Sequence, residues 1–154
     1  MVNTHGEIYA RGFGDSRFDT SEHGPILAYH AVKFIEDHVA ANANQPFMLF
    51  YAAPAIHVPL TPSAHALNST GLGKRSDFVV DLDQQVGKIL DALDSLNIAD
   101  NTLVILSSDN GGTVTNIAQQ ETSYRQHPSG PWRGSKSSIY EGGHRVPFAF
   151  KWGD

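Results

Sequence analysis

Apolar positions in this chain fall into two kinds of run: helical stripes and unbroken blocks. Over residues 25–41, Ala28, Val32, Ile35 and Val39 recur at spacings of four, three and four, which places them on one helix face. Pro25 falls in the first turn of that helix, where a missing N–H costs nothing. His38 is expected to face solvent. After a polar break at 42–45, Pro46 opens Phe47-Met48-Leu49-Phe50-Tyr51-Ala52-Ala53, a block without alternation, as in a strand buried on both faces. Pro54 ends the block, and 55–73 reads as loop. Val79, Leu82, Val86, Ile89, Leu90, Leu93 and Leu96 then trace a stripe that predicts a second helix over 76–96. A polar link at 97–101 leads into a second unbroken block, 102–108. Residues 109–144 are rich in Gly, Ser and Gln, and a loop of that length in a compact domain is functional or disordered. Residues 146–152 read as a third strand. Residues 1–23 show no sustained period and read as an irregular N-terminal segment.

The order helix, strand, helix, strand predicts an α/β architecture, a mostly parallel sheet flanked by helices. In such sheets ligands gather beyond the carboxyl ends of the strands. Two of those ends carry suggestive residues. The first block runs out through Pro54 to His57, Val58 and Pro59, and the second into Ser108-Asp109-Asn110-Gly111-Gly112. If the two strands are parallel neighbours, His57 and the Asp109-Asn110 pair face one crevice.

Composition narrows the possibilities. The length of 154 residues suits one domain with one core. A hydrophobic content of 40% with 18% charged residues is that of an ordinary globular chain, not a disordered one. The net charge of -5 and the scattered basic residues give no surface for nucleic acid. No run approaches the roughly 20 apolar residues that span a bilayer. With no cysteine, disulfides and thiolate metal sites are excluded, which leaves the compartment open. Residues 1–6 lack the basic head and apolar body of a signal peptide, and Asn68-Ser69-Thr70 is a glycosylation sequon only in a secretory context.

Asp109 and Asn110 offer a carboxylate and an amide oxygen, donors that hard cations prefer. Gly111-Gly112 lets the backbone turn sharply and approach a ligand closely. Asp-Asn-Gly is equally a favoured turn sequence. The pair also falls short of a complete shell, since calcium takes roughly six to eight oxygens. His57 reads as a general acid, an anion ligand or a packed loop histidine. Arg133, Lys136 and Arg145 place three cations in a Gly-rich loop, a device for holding a tetrahedral oxyanion or simply a solvated surface.

Four pieces in order resemble the type I sulfatases (arylsulfatase-like enzymes) of the alkaline-phosphatase superfamily. They are Pro46-Phe47 through His57-Val58-Pro59; Asp83 with Val86-Gly87; Asn101-Thr102-Leu103-Val104-Ile105 into Ser108-Asp109-Asn110-Gly111; and Arg133-Gly134-Ser135-Lys136 with Tyr140-Glu141-Gly142-Gly143 and Arg145-Val146-Pro147. The resemblance runs from about Phe34 to the end. It implies a sulfuric ester hydrolase acting on a sulfate-ester small molecule or glycan. It implies further that Asp109 and Asn110 are metal ligands, with calcium the usual ion. Lys136 would contact the sulfate and the leaving oxygen, and His57 would hold sulfate and protonate the departing alkoxide. Arg133 and Arg145 would support the loop. Full-length relatives are often exported.

The resemblance is incomplete in two respects. The family nucleophile is a formylglycine made from Cys or Ser in a C/S-x-P-x-R motif near the start of the domain, and an upstream acidic pair completes the metal shell. Neither precedes the first block here. The literal match Ser129-Gly130-Pro131-Trp132-Arg133 lies after the metal-ligand strand and overlaps the Lys136 loop, so it is read as a coincidence. Residues 1–154 are therefore expected to be the middle-to-late portion of a single sulfatase catalytic domain, inactive alone and open to self-association through an unpaired sheet edge. The alternatives are a phosphate or phosphonate ester hydrolase of the same superfamily and a non-catalytic remnant serving as a binding or structural module.

Overall fold

The computed structural model describes residues 19–42, 44–113 and 127–153, so most of the irregular segment assigned to 1–23 lies outside the described residues. The chain divides into two compact units, Met1–Ile98 and Ala99–Asp154.

In the first unit, helix α1 (His23–Asn42) packs against α2 (Lys74–Ser95). Ala28, Ala31 and Ile35 of α1 meet a core that includes Phe78, Ala92 and Leu93 of α2, with Ala66 buried from the segment between them. Both helices lie within two residues of the bounds read from the apolar stripes. The end of α2 is set by Asn97, whose φ of 56° takes the backbone into the left-handed region. Asn97 N–H donates to the Asp94 carbonyl and Ile98 N–H to the Leu93 carbonyl, both at 3.0 Å. These are the two bonds of a Schellman motif, and they satisfy carbonyls that the helix end would otherwise leave unpaired. His38, expected to face solvent, is half-buried and hydrogen-bonds the Gln45 carbonyl through Nε2 at 2.8 Å, between the rings of Phe34 and Phe47.

The block 47–53 joins no ladder among the described residues. Its exposure alternates: Phe47, Leu49, Tyr51 and Ala53 are partly covered, whereas Met48 and Phe50 are 88% and 83% exposed. An extended segment covered on a single face produces that period of two.

The second unit contains a 3-10 turn (Ala99–Asn101), β1 (Leu103–Ser107), a short helix α3 (Glu141–His144) and β2 (Phe148–Trp152). β1 and β2 form a two-stranded antiparallel sheet in which Leu103 faces Trp152, Ile105 faces Phe150 and Ser107 faces Phe148. The expected mostly parallel sheet flanked by helices is therefore not the observed architecture. An unbroken apolar block reports that a strand has two faces to cover, but it does not select the neighbour or its direction. The long connection between the second and third blocks lets β2 return beside β1, and antiparallel pairing needs no crossover helix. Ile105, Phe148, Phe150 and Trp152 remain exposed. Among the described residues no helix is long and apolar enough to cross a membrane.

Candidate active site

β1 delivers Ser108, Asp109 and Asn110 just past its carboxyl end. Ser107 Oγ donates to the Pro147 carbonyl at 3.1 Å, which ties that end to the approach of β2. Ser108 Oγ donates to the Asn110 carbonyl at 3.0 Å, and Asn110 Nδ2 donates to the Gly111 carbonyl at 2.9 Å. Asp109 is exposed and Asn110 half-buried.

The loop that carries Lys136 is joined to this segment backbone to backbone. Gly111 N–H donates to the Gly143 carbonyl at 2.9 Å, and Lys136 N–H donates to the Gly112 carbonyl at 2.7 Å. Within the loop, Gly142 N–H reaches the Arg133 carbonyl at 2.8 Å. The glycines permit this interlocking. A Cβ on Gly111 would overlap the Gly142 carbonyl oxygen, and one on Gly142 would overlap that of Gly134. Neither Gly111 nor Gly112 has a positive φ; Gly111 lets two backbones approach closely, and a Cβ on Gly112 would meet the Pro128 side chain.

Arg133 and Arg145 are held by neighbours within the loop. The Arg133 guanidinium lies 3.9 Å from the centre of the Tyr140 ring, and that of Arg145 lies 4.1 Å from Trp132. Arg145 Nη1 also pairs with Glu141 at 3.0 Å. Cation–π contacts of this kind fix a guanidinium over a ring face. Lys136 is half-buried. Ser129, the serine of the literal motif, is in a turn closed by Trp132 N–H on its carbonyl at 3.2 Å, and its Oγ donates to Gly142 at 3.3 Å. No helix begins at that serine.

Asp109, Asn110 and Lys136 are thus brought together in the second unit. His57 belongs to the first. Its N–H donates to the Pro54 carbonyl at 3.0 Å, and its Nδ1 hydrogen-bonds the Val58 carbonyl at 2.7 Å. A carbonyl only accepts, so Nδ1 carries a proton. The expectation that His57 shares a crevice with Asp109 rested on parallel pairing of the two apolar blocks, and that pairing is not present among the described residues. Among the described residues no group of three or more His, Asp or Glu side chains could hold a metal ion, so Asp109 and Asn110 supply at most part of a coordination shell.

Sequence reasoning passed over a second feature. Asp77, Asp81 and Gln85 of α2 are buried. Asp77 accepts from Asn68 N–H, Thr70 N–H and Thr70 Oγ1 at 2.9, 3.0 and 2.7 Å. Asp81 accepts from Ser63 N–H and Oγ at 3.0 and 2.8 Å, and Gln85 Oε1 from the Tyr51 hydroxyl at 2.7 Å. The Thr70 hydroxyl, with the two backbone donors, holds the Asp77 carboxyl below its ordinary value despite burial. Burial first, and the negative charge of Asp81 second, push the Tyr51 phenol up to about 12. Polar residues at four-residue spacing beside an apolar stripe were the available signal.

The sequence profile of the family described as sulfatase matches residues 20–154. The chain is 37% identical over 130 residues to the N-acetylgalactosamine-6-O-sulfatase of Bacteroides thetaiotaomicron, a match covering 82% of this chain and 25% of that protein. It is 36% identical over 127 residues to the human N-acetylgalactosamine-6-sulfatase, covering 82% of this chain and 23% of that one. A solved structure from work on glycosaminoglycan metabolism by Bacteroides thetaiotaomicron superposes with a TM-score of 0.76 at 31% identity, over 88% of this chain and 28% of that one. The PsFucS1 sulfatase of a Pseudoalteromonas species superposes with a TM-score of 0.73 at 28% identity, over 86% of this chain and 25% of that one. The chain spans about a quarter of the length of these curated relatives.

Proposed function

The chain belongs to the sulfatase family, and from that premise we propose that it carries one part of a metal-assisted site for hydrolysing sulfate esters. The observation that supports this most directly is the pair of backbone bonds, Gly111 to Gly143 and Lys136 to Gly112, that set a lysine loop against two oxygen donors. In this reading the residues correspond to the middle-to-late portion of a sulfatase catalytic domain. The substrate class is a sulfated sugar, as in the names of the N-acetylgalactosamine-6-sulfatases.

The donor set suits a hard cation in kind. Asp109 offers an exposed carboxylate, and the Asn110 amide has its nitrogen engaged by Gly111, which leaves its oxygen as the ligating end. Asp109 and Asn110 would hold the ion, calcium by family resemblance, and the ion would offset charge on the sulfate oxygens. Lys136 would bind the sulfate and stabilise the leaving oxygen as its bond to sulfur breaks. His57 would hold sulfate and give a proton to the departing alkoxide. A formylglycine does not fit the residues present: there is no cysteine, and Ser129 is hydrogen-bonded within a turn rather than placed at a helix start. No covalent step is assigned to this chain. The exposed side chains of β1 and β2 would also support self-association.

The test is a calcium titration of the labelled chain followed by amide NMR. Signals from 109–112 and from the Lys136 loop should move together, and Asp109→Ala should abolish the response. An unchanged titration in that variant would sink the metal role.

A further inference from the structure

The three buried polar residues of α2 are spaced so that a single helix face holds Asp77, Asp81 and Gln85. Each is bonded to a different point of the preceding segment, in antiparallel order. Gln85 takes Tyr51, Asp81 takes Ser63, and Asp77 takes Asn68 and Thr70. His57 lies midway in sequence between the Tyr51 and Ser63 anchors. The stretch it occupies is therefore tied to one helix on both sides.

A helix face that only had to pack would favour apolar residues here, because a buried polar group is costly unless it is hydrogen-bonded. Gln85 makes the point most sharply. Its Nε2 is buried and has no hydrogen-bond partner among the described residues, yet its Oε1 accepts from Tyr51. Room for the amide comes from Gly24 of α1, where a Cβ would overlap Gln85 Nε2. Among the described residues the amide is therefore held at its oxygen alone, by Tyr51. On the other side, the Asp81 carboxylate holds both the backbone N–H and the hydroxyl of Ser63, a two-point grip that restricts rotation there.

We propose that this face of α2 positions the loop bearing His57, with Gln85 and Asp81 as the positioning residues on either side and Asp77 securing the loop's return to the helix. The inference rests on the sulfate-binding role given to His57 above, but the ordering of the loop is separately measurable.

The experiment uses the full chain and three variants: Gln85→Met, which removes the acceptor; Gln85→Glu, which keeps one; and Asp81→Asn, which weakens the grip on Ser63. Circular dichroism establishes that each is folded. Hydrogen exchange is followed over 52–62, and the His57 ring signal is assigned with His57→Gln, with the rings of His127 and His144 as references in the other unit. Loss of one such hydrogen bond should speed exchange over 52–62 about tenfold, and shift the His57 signal, while 28–42 and 103–107 keep their protection. Gln85→Glu should restore both readouts. Unaltered exchange and an unaltered His57 signal in folded Gln85→Met and Asp81→Asn would overturn the inference. So would a uniform rise across both helices, which marks ordinary core loss. Sulfate is then added to the parent chain. Local loosening in the variants with no response of His57 to sulfate would uphold the anchoring and overturn the histidine's proposed sulfate role.

Discussion

Lys136 donates its backbone N–H to the carbonyl of Gly112 at 2.7 Å, so the lysine loop is held by the chain segment that immediately follows Asp109 and Asn110. The bond is independent of the lysine side chain. Changes to the ammonium group and changes to the loop's seat are therefore separable by mutation.

The seat depends on glycine at 111. Gly111→Ala should destabilise the second unit by about 1–3 kcal/mol, because the new methyl group meets backbone rather than a flexible side chain. Gly87→Ala is the contrast. A Cβ there meets nothing within 4 Å inside α2, and the gain in helix propensity should raise stability by about 1 kcal/mol. Thermal unfolding of the two variants reads both effects, and their signs should be opposite.

Acid should release the segment that Asp77 holds. Its carboxyl lies below the ordinary value of 3.8 when folded, so the unfolded chain binds the proton more readily. That stability is complete above 3.8 and is lost as pH falls through the folded value. Denaturant midpoints measured in steps below pH 5 should fall for the parent chain, and less steeply for Asp77→Asn, which should already be weaker at pH 7.

Tyr51 gives the alkaline counterpart. Its folded phenol titrates at about 12 against an ordinary 10.0, so the contribution is complete below 10.0 and disappears as pH rises through 12. Ultraviolet titration of phenolate should show a late component that is absent from Tyr51→Phe.

On an aryl sulfate with calcium, the expected outcome is no turnover above background, because Asp109 and Asn110, the donors proposed among the described residues, are two where calcium takes roughly six to eight. Calcium-dependent turnover that disappears in Lys136→Ala would show that these residues form a working site.

The exposed faces of β1 and β2 should make the chain associate at high concentration. Sedimentation should show a concentration-dependent mass that Phe148→Lys with Phe150→Lys reduces. A strictly monomeric parent would remove the basis for that expectation.

Local pattern determined both helices and the three apolar segments. The reason is that an amphipathic stripe such as Val79, Leu82, Val86 and Leu93 specifies a period within one element. It also carried the sulfatase resemblance, since Asp109-Asn110-Gly111 and Lys136 are set by chain order and spacing. Tertiary structure decided what those patterns leave free. It returned β2 antiparallel to β1, and it left the block 47–53 covered on one face without a ladder among the described residues. It also turned Gly111 and Gly142 into points of backbone contact, and it made Asp77, Asp81 and Gln85 anchors rather than surface polar residues. Pairing direction, close approach and hydrogen-bond partnership all join residues far apart in sequence, and no period along the chain encodes which distant residue will be the neighbour.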